Sequence, residues 1–119
     1  MPATFDLVTV DSPSPDRLAA FWRAALGLRE TEREDGARWI VLSDAEGARR
    51  LGVQRGSPAP GSMHLDVRCA IDEFDVERAR LLALGATQAA PPRDEPYGRI
   101  VNLADPDGNP FDLCAYRGW

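Results

Sequence analysis

His64 is the only histidine among the 119 residues, and an imidazole is the one side chain that ordinarily changes charge near neutral pH. Asp66 and Arg68 follow at alternate positions. An extended segment over 63–69 therefore puts three ionisable groups on one face, and Met63, Leu65, Val67 and Cys69 on the face toward a helix. Near the C-terminus, Asp112 stands between Phe111 and Leu113 and shares a face with Cys114. A histidine and a carboxylate brought together can serve as general acid and general base. The plainer alternatives are that Asp112 pairs with Arg68 or Arg99, and that Asp66 and Arg68 neutralise each other. Cys114 would be a nucleophile only beside a group that lowers its pKa. Nothing near it in sequence does so, and it reads as a small cavity-lining residue. All 14 basic residues are arginine, which removes Schiff-base and lysine-nucleophile chemistry. No phosphate-binding glycine loop, nucleophile elbow or cysteine-rich zinc pattern occurs.

The elements that must position these groups come in two copies. Residues 11–28 and 70–86 are each a capped amphipathic stretch ending in Leu-Gly, at Leu26-Gly27 and Leu84-Gly85. Each copy later reaches a turn of one type, Asp44-Ala45-Glu46-Gly47 and Asp105-Pro106-Asp107-Gly108. In the first copy a strand is expected over 4–10. Ser14 is expected as N-cap with Pro15 in the first helical position, and Leu18, Phe21, Trp22, Ala25 and Leu26 form the buried stripe. Strands over 28–32, 38–42 and 50–55 complete it. The second copy reads as strand 63–69, helix 72–84 opened by a capping-box-like Asp72 and Asp75, strand 86–90, loop 91–96, strand 99–103 and strand 110–116. Gly56 to Ser62 is the clearest linker. The expectation is one α+β domain spanning 1–119. It has a β-α-β-β-β module over about 1–55, a linker over 56–62 and a second module over 63–119. The two modules form a cupped mixed sheet around a central cavity.

Counting back from the Leu-Gly helix ends makes Asp6 the counterpart of His64, with Phe5 and Leu7 toward the helix. Matching the last strands makes Gly52 the counterpart of Asp112, and Gln54 that of Cys114. Trp39 alternates within its strand and is a candidate to face the cavity. Phe21 and Trp22 read as core, and Trp119 as a cover for the fold or a dimer contact.

Composition narrows the partners. A chain 44% hydrophobic and 28% charged is ordinary for a globular protein, and its net charge of −5 excludes a basic nucleic-acid surface. The apolar runs are too short to span a membrane. With no leader-like opening, cytoplasmic residence is expected. Cys69 and Cys114 lie in different strands, and no structural disulfide is expected there.

Taken together, the two modules, the helix Leu-Ala-Ala-Phe-Trp-Arg-Ala-Ala-Leu-Gly, the opening His64-Leu65-Asp66-Val67 and the ending Asp105-Pro106-Asp107-Gly108-Asn109-Pro110-Phe111-Asp112-Leu113 resemble the vicinal oxygen chelate superfamily. Within it, the chain resembles the short glyoxalase-like domains related to bleomycin-resistance proteins. Metal-using members place one ligand on the first and one on the last strand of each module. By position these are Asp6, Gly52, His64 and Asp112. Glycine cannot ligate, so the resemblance leaves Asp6, His64 and Asp112 as candidates to hold a divalent Zn, Ni, Fe or Mn ion, with no cofactor certain. It implies a homodimer that binds a small organic ligand, with Asp6, Gln54, Asp66, Arg68, Cys114 and Trp39 lining the cavity. One implied function is a lyase, isomerase or dioxygenase acting next to a carbonyl or hydroxyl, with His64 and Asp112 as ligands or as the acid–base pair. The other is a metal-free protein that sequesters a drug or metabolite. The retained His64 and Asp112 favour the first, and Gly52 favours the second. A domain making only protein contacts is a third reading.

Overall fold

Residues 39–43, Trp-Ile-Val-Leu-Ser, and 110–116, Pro-Phe-Asp-Leu-Cys-Ala-Tyr, are rich in the branched and aromatic side chains that suit a half-buried pleat. In a computed structural model each forms a strand within its own sheet. The structure describes residues 5–61 and 63–118. Trp119 and the first residue of the expected opening strand lie outside the described residues. The chain divides into two compact units, with the boundary between Ala59 and Pro60.

The first unit runs β1 (Val8–Ser12), α1 (Pro15–Leu26), β2 (Arg29–Glu34), β3 (Trp39–Ser43) and β4 (Arg49–Arg55). Its sheet order is β1-β4-β3-β2, with β1 parallel to β4 and the other pairs antiparallel. Helix α1 starts at Ser14 and Pro15 as the sequence predicts, but the Ser14 hydroxyl makes no capping bond. Instead the Ser14 backbone N–H donates to Ser12 Oγ at 3.0 Å. Leu18, Phe21, Trp22 and Ala25 are buried, and Leu26 lies at the stripe's edge, partly exposed. Gly27 takes the left-handed conformation that ends the helix. Phe5, expected in the core, is 77% exposed, because β1 begins only at Val8.

The second unit runs β5 (Leu65–Arg68), a single 3-10 turn (Ile71–Glu73), α2 (Phe74–Leu84), β6 (Thr87–Gln88), β7 (Arg93–Glu95), β8 (Gly98–Ala104) and β9 (Pro110–Tyr116). Its sheet order is β5-β9-β8-β6, with β7 also paired to β8 and with β5 parallel to β9. Three expectations change here. Helix α2 begins at Phe74 rather than 72, because Ile71–Glu73 winds more tightly, and no side chain caps it. The expected loop over 91–96 contains β7, which pairs Arg93 with Ile100 and Glu95 with Gly98. Met63 lies before β5 and is exposed rather than packed. Phe74, Leu81, Phe111 and Leu113 are buried at the core of this unit.

The two matched turns share one bonding scheme. Asp44 accepts at Oδ1 from the N–H groups of Glu46 and Ala48, as Asp105 accepts from Asp107 and Asn109. Gly47 and Gly108 adopt nearly the same positive φ, 87° and 86°. Each turn sets the register of the hairpin it closes. Among the described residues no helix is long and apolar enough to cross a membrane.

Three carboxyls in these scaffolds are held below their ordinary range. Glu30 is lowered by a hydrogen bond from Arg33, Asp44 by the Ala48 N–H, and Glu77 by Arg80. A group lowered in the folded state contributes stability above its unfolded pKa, and loses it as pH falls toward the folded value. The melting temperature is therefore expected to hold from neutrality to about pH 5 and to decline below about pH 4. Circular dichroism melts across that range test this, and a Tm unchanged at pH ~3 would remove these contacts from the account.

Candidate functional site

The parallel pairing of β5 with β9 aligns Asp66 with Asp112 and Arg68 with Cys114. The antiparallel pairing of β9 with β8 aligns Asp112 with Asn102 and Cys114 with Ile100. Paired residues share a sheet face, so Asp66, Arg68, Asp112, Cys114 and Asn102 all project to one side. His64, just before β5, joins them. Its Nε2 lies 3.3 Å from Asp66 Oδ1 and 3.4 Å from Asp112 Oδ2. Sequence reasoning placed His64, Asp66 and Asp112 on inward faces of two strands, and the structure brings all three together.

Accessibility differs within the cluster. The side chains of His64 and Asp66 are 51% and 58% exposed, whereas that of Asp112 is only 17% exposed. Asp112 is also tethered: Asn102 Nδ2 donates to its Oδ1 at 2.6 Å. The Asn102 Oδ1 in turn accepts from Arg93 at 2.8 Å, and Arg93 Nε also reaches Glu95 at 3.3 Å. The expected pairing of Asp112 with Arg99 does not occur, since Arg99 reaches Asp94 and Asp75 and lies over the Phe74 ring.

One ligand atom from each of His64, Asp66 and Asp112 lies within 4.8 Å of the others. Two ligands about 2.2 Å from one ion and at right angles to each other are separated by about 3 Å, so this donor set fits a divalent cation bound on one face. One imidazole with carboxylates suits the borderline and hard ions rather than thiophilic ones. The third ligand atom in this cluster comes from Asp66.

Cys114 is buried beside this face. Burial pushes its thiol up, with the Asp66 and Asp112 charges adding to the effect, while a hydrogen bond with Tyr116 opposes it. A thiol held neutral is a poor nucleophile. Tyr116 also packs against Tyr97, with ring centroids 5.8 Å apart.

The corresponding face of the first unit is built differently. Thr9 pairs with Gly52 and Asp11 with Gln54, as Asp66 and Arg68 pair with Asp112 and Cys114. Leu7, not Asp6, therefore stands two residues before the strand position that matches Asp66. Counting from the helix ends misaligns the units by one, because eighteen residues separate Thr9 from Gly27 while nineteen separate Asp66 from Gly85. Asp6 instead lies 3.4 Å from Arg49 Nε, which also faces Glu32 at 3.3 Å. Gln54 donates to Asp11 at 3.3 Å.

Trp39 lies directly opposite Gln54, and its indole crosses Gly52. A Cβ at Gly52 would meet the indole, with Cζ3 at 2.7 Å. The ring occupies the space that a side chain at 52 would need. Gly52→Ala is expected to cost about 1–3 kcal/mol by forcing the ring aside. The penalty should shrink by about 1 kcal/mol or more in a Trp39→Ala background. Urea unfolding of the four proteins in this cycle measures the coupling, and equal costs in both backgrounds would clear Trp39 of the role.

Asn102 and Arg93 are the site residues that sequence reasoning missed. Counting outward from the Asp105–Gly108 turn would have found Asn102, since Ala104 pairs with Pro110, Leu103 with Phe111 and Asn102 with Asp112. Arg93 carried no such signal while its strand read as a loop.

The sequence matches the profile of the Glyoxalase-like domain over residues 7–114. No curated protein matches it significantly. Solved structures share its fold. A glyoxalase-related enzyme from Fulvimarina pelagi is 22% identical with a TM-score of 0.78, over 98% of this chain and 90% of that one. A glyoxalase/bleomycin resistance protein/dioxygenase family enzyme from Burkholderia phytofirmans PsJN is 18% identical with a TM-score of 0.81, over 96% and 99%. The fosfomycin resistance protein FosX from Listeria monocytogenes, complexed with Mn(II) and sulfate, is 20% identical with a TM-score of 0.78, over 99% and 94%. The profile match over most of its length, together with twin units of mixed sheet, makes this chain a member of the Glyoxalase-like domain family.

Proposed function

We propose that this protein is a glyoxalase-like enzyme acting on a small organic molecule with neighbouring oxygen atoms, centred on a divalent cation held by His64, Asp66 and Asp112. The observation that carries this reading is the imidazole Nε2 poised between two carboxylates, 3.3 and 3.4 Å away. The Mn(II) complex of the FosX structure supports a cation of that type. When bound, such a cation supplies Lewis acidity that stabilises negative charge developing on a substrate oxygen. The chain's own residues divide the remaining work. Asp112, shielded and tethered through Asn102, is the fixed member. His64 and Asp66 leave their outer sides open, which gives a small ligand its approach. The neighbouring Cys114, kept neutral by burial, adds no competing nucleophile. A lyase, isomerase or dioxygenase acting beside a carbonyl or hydroxyl matches this arrangement.

A homodimer belongs to the same reading. In the second unit Met63 and Val76 are exposed large apolar side chains, of the kind that contact with a second copy buries.

The test is cation binding followed by isothermal titration calorimetry and elemental analysis with Mn, Fe, Ni and Zn. One ion per chain is expected, with affinity at least about 100-fold lower in His64→Ala, since a ligand is lost outright. If no divalent ion binds stoichiometrically, the cation-dependent enzyme is excluded. A second reading, a metal-free protein that sequesters a drug or metabolite, then stands. The indole over Gly52 favours it, because the ring fills the space in which the resemblance would place a ligand side chain.

A further inference from the structure

Asp112 could rotate about its χ angles, so something must decide which of its oxygens faces His64. We propose that Asn102, itself oriented by Arg93, is the positioning residue that fixes Asp112 in the site. A primary amide has one acceptor end and one donor end, which can exchange places by a half-turn. Here both ends are specified. Arg93 has only donors, and its guanidinium lies 2.8 Å from one end of the amide, so that end is Oδ1. The other end, Nδ2, must then face Asp112, where it donates to Oδ1 at 2.6 Å. That bond occupies one carboxylate oxygen and leaves Oδ2 turned to His64, 3.4 Å away. The chain of contacts runs Arg93, Asn102, Asp112, His64 across β7, β8, β9 and the entry to β5. Each member reaches the next from an adjacent strand, so the ladder itself sets the spacing. Asp66, the other carboxylate of the cluster, is more than half exposed, with His64 Nε2 3.3 Å from its Oδ1. The two carboxylates therefore differ: Asp112 is shielded and bonded to the neighbouring strand, whereas Asp66 is open to solvent.

This inference rests on the cluster proposed above, and the experiment separates the two. Mn(II) affinity is measured by calorimetry for the unaltered protein, Asn102→Ala, Arg93→Met and Arg99→Met. Asn102→Ala should weaken binding about 10-fold or more, the scale found when an outer partner of a metal ligand is removed. Arg93→Met, one contact further out, should weaken it by a smaller factor, and Arg99→Met should leave it unchanged. Equal affinity in Asn102→Ala and the unaltered protein overturns the proposal.

A second readout needs no metal. The 15N shifts of the His64 ring in Asn102→Ala should move toward those in Asp112→Ala, because both lose an oriented carboxylate at Nε2. Ring shifts unchanged by Asn102→Ala overturn the proposal even in a protein that binds no Mn(II), an outcome that removes the cation reading alone. Should Asn102→Ala fail to fold, Arg93→Met carries both measurements, with the same direction of change expected.

Discussion

Gly98→Ala should lower the stability of the second unit by roughly 3 kcal/mol or more, the sum of a strained backbone and an enforced clash. Gly98 opens β8 with φ at +149°, a conformation that residues with a Cβ rarely adopt. A methyl there would strike the backbone of β9, meeting the carbonyl oxygen of Ala115 and approaching its carbonyl carbon at 2.9 Å. Unlike the indole over Gly52, a backbone carbonyl held within a strand pairing cannot step aside by a change of rotamer. It could yield only by breaking the pairing of Gly98 with Tyr116 and Arg99 with Ala115. Typical domains are stable by about 5–15 kcal/mol, so a Tm drop of about 10 °C or more is expected. Thermal melts measure it, and a drop of under about 3 °C would mean that the strand relaxes more freely than its hydrogen bonds suggest.

Phe74→Ala should cost about 3–5 kcal/mol, as truncation of a buried aromatic ring commonly does. Phe74 is fully buried at the first residue of α2, and its ring carries the Arg99 guanidinium 4.6 Å from the centroid. Alanine would leave a void under the helix start and remove that cation–π contact, itself worth about 0.5–1 kcal/mol at an accessible site. Phe74→Leu, which refills most of the volume, should recover more than half of the loss. Urea unfolding of the three proteins decides this. Similar costs for Leu and Ala would point to ring-specific interactions rather than volume.

Much of this molecule is legible in its sequence because the same local signals occur twice. Leu26-Gly27 and Leu84-Gly85 end two helices, and the two Asp-x-x-Gly turns close matching hairpins, so that neighbouring strands fall into register without further information. Two-residue alternation then places His64, Asp66 and Asp112 on one face, and Leu65, Phe111 and Leu113 on the other. The failures have a common physical origin. Counting across a connection of variable length moved the match of His64 from Leu7 to Asp6, since the 3-10 turn before α2 absorbs a residue that α1 does not need. Strand β7 is short and charged, Arg-Asp-Glu, and its pairing comes from β8 rather than from any propensity of its own. With β7 read as a loop, Arg93 had no reason to sit near Asn102. The Trp39 ring over Gly52 is likewise a cross-strand contact that strand alternation alone does not reveal.

The parallel ladders set an order of events during synthesis. In each unit the first strand finds its partner only in the last: β1 waits for β4, and β5 waits for β9, more than forty residues later. The first unit can close its sheet once residue 55 has left the ribosome. The second must hold β5, with Asp66 in it and His64 just before it, unpaired until residues 110–116 emerge. Long loops of this kind are slow to close. The half of the chain that carries the His64, Asp66 and Asp112 cluster is therefore the later to assemble, and for that interval the more exposed to mispairing.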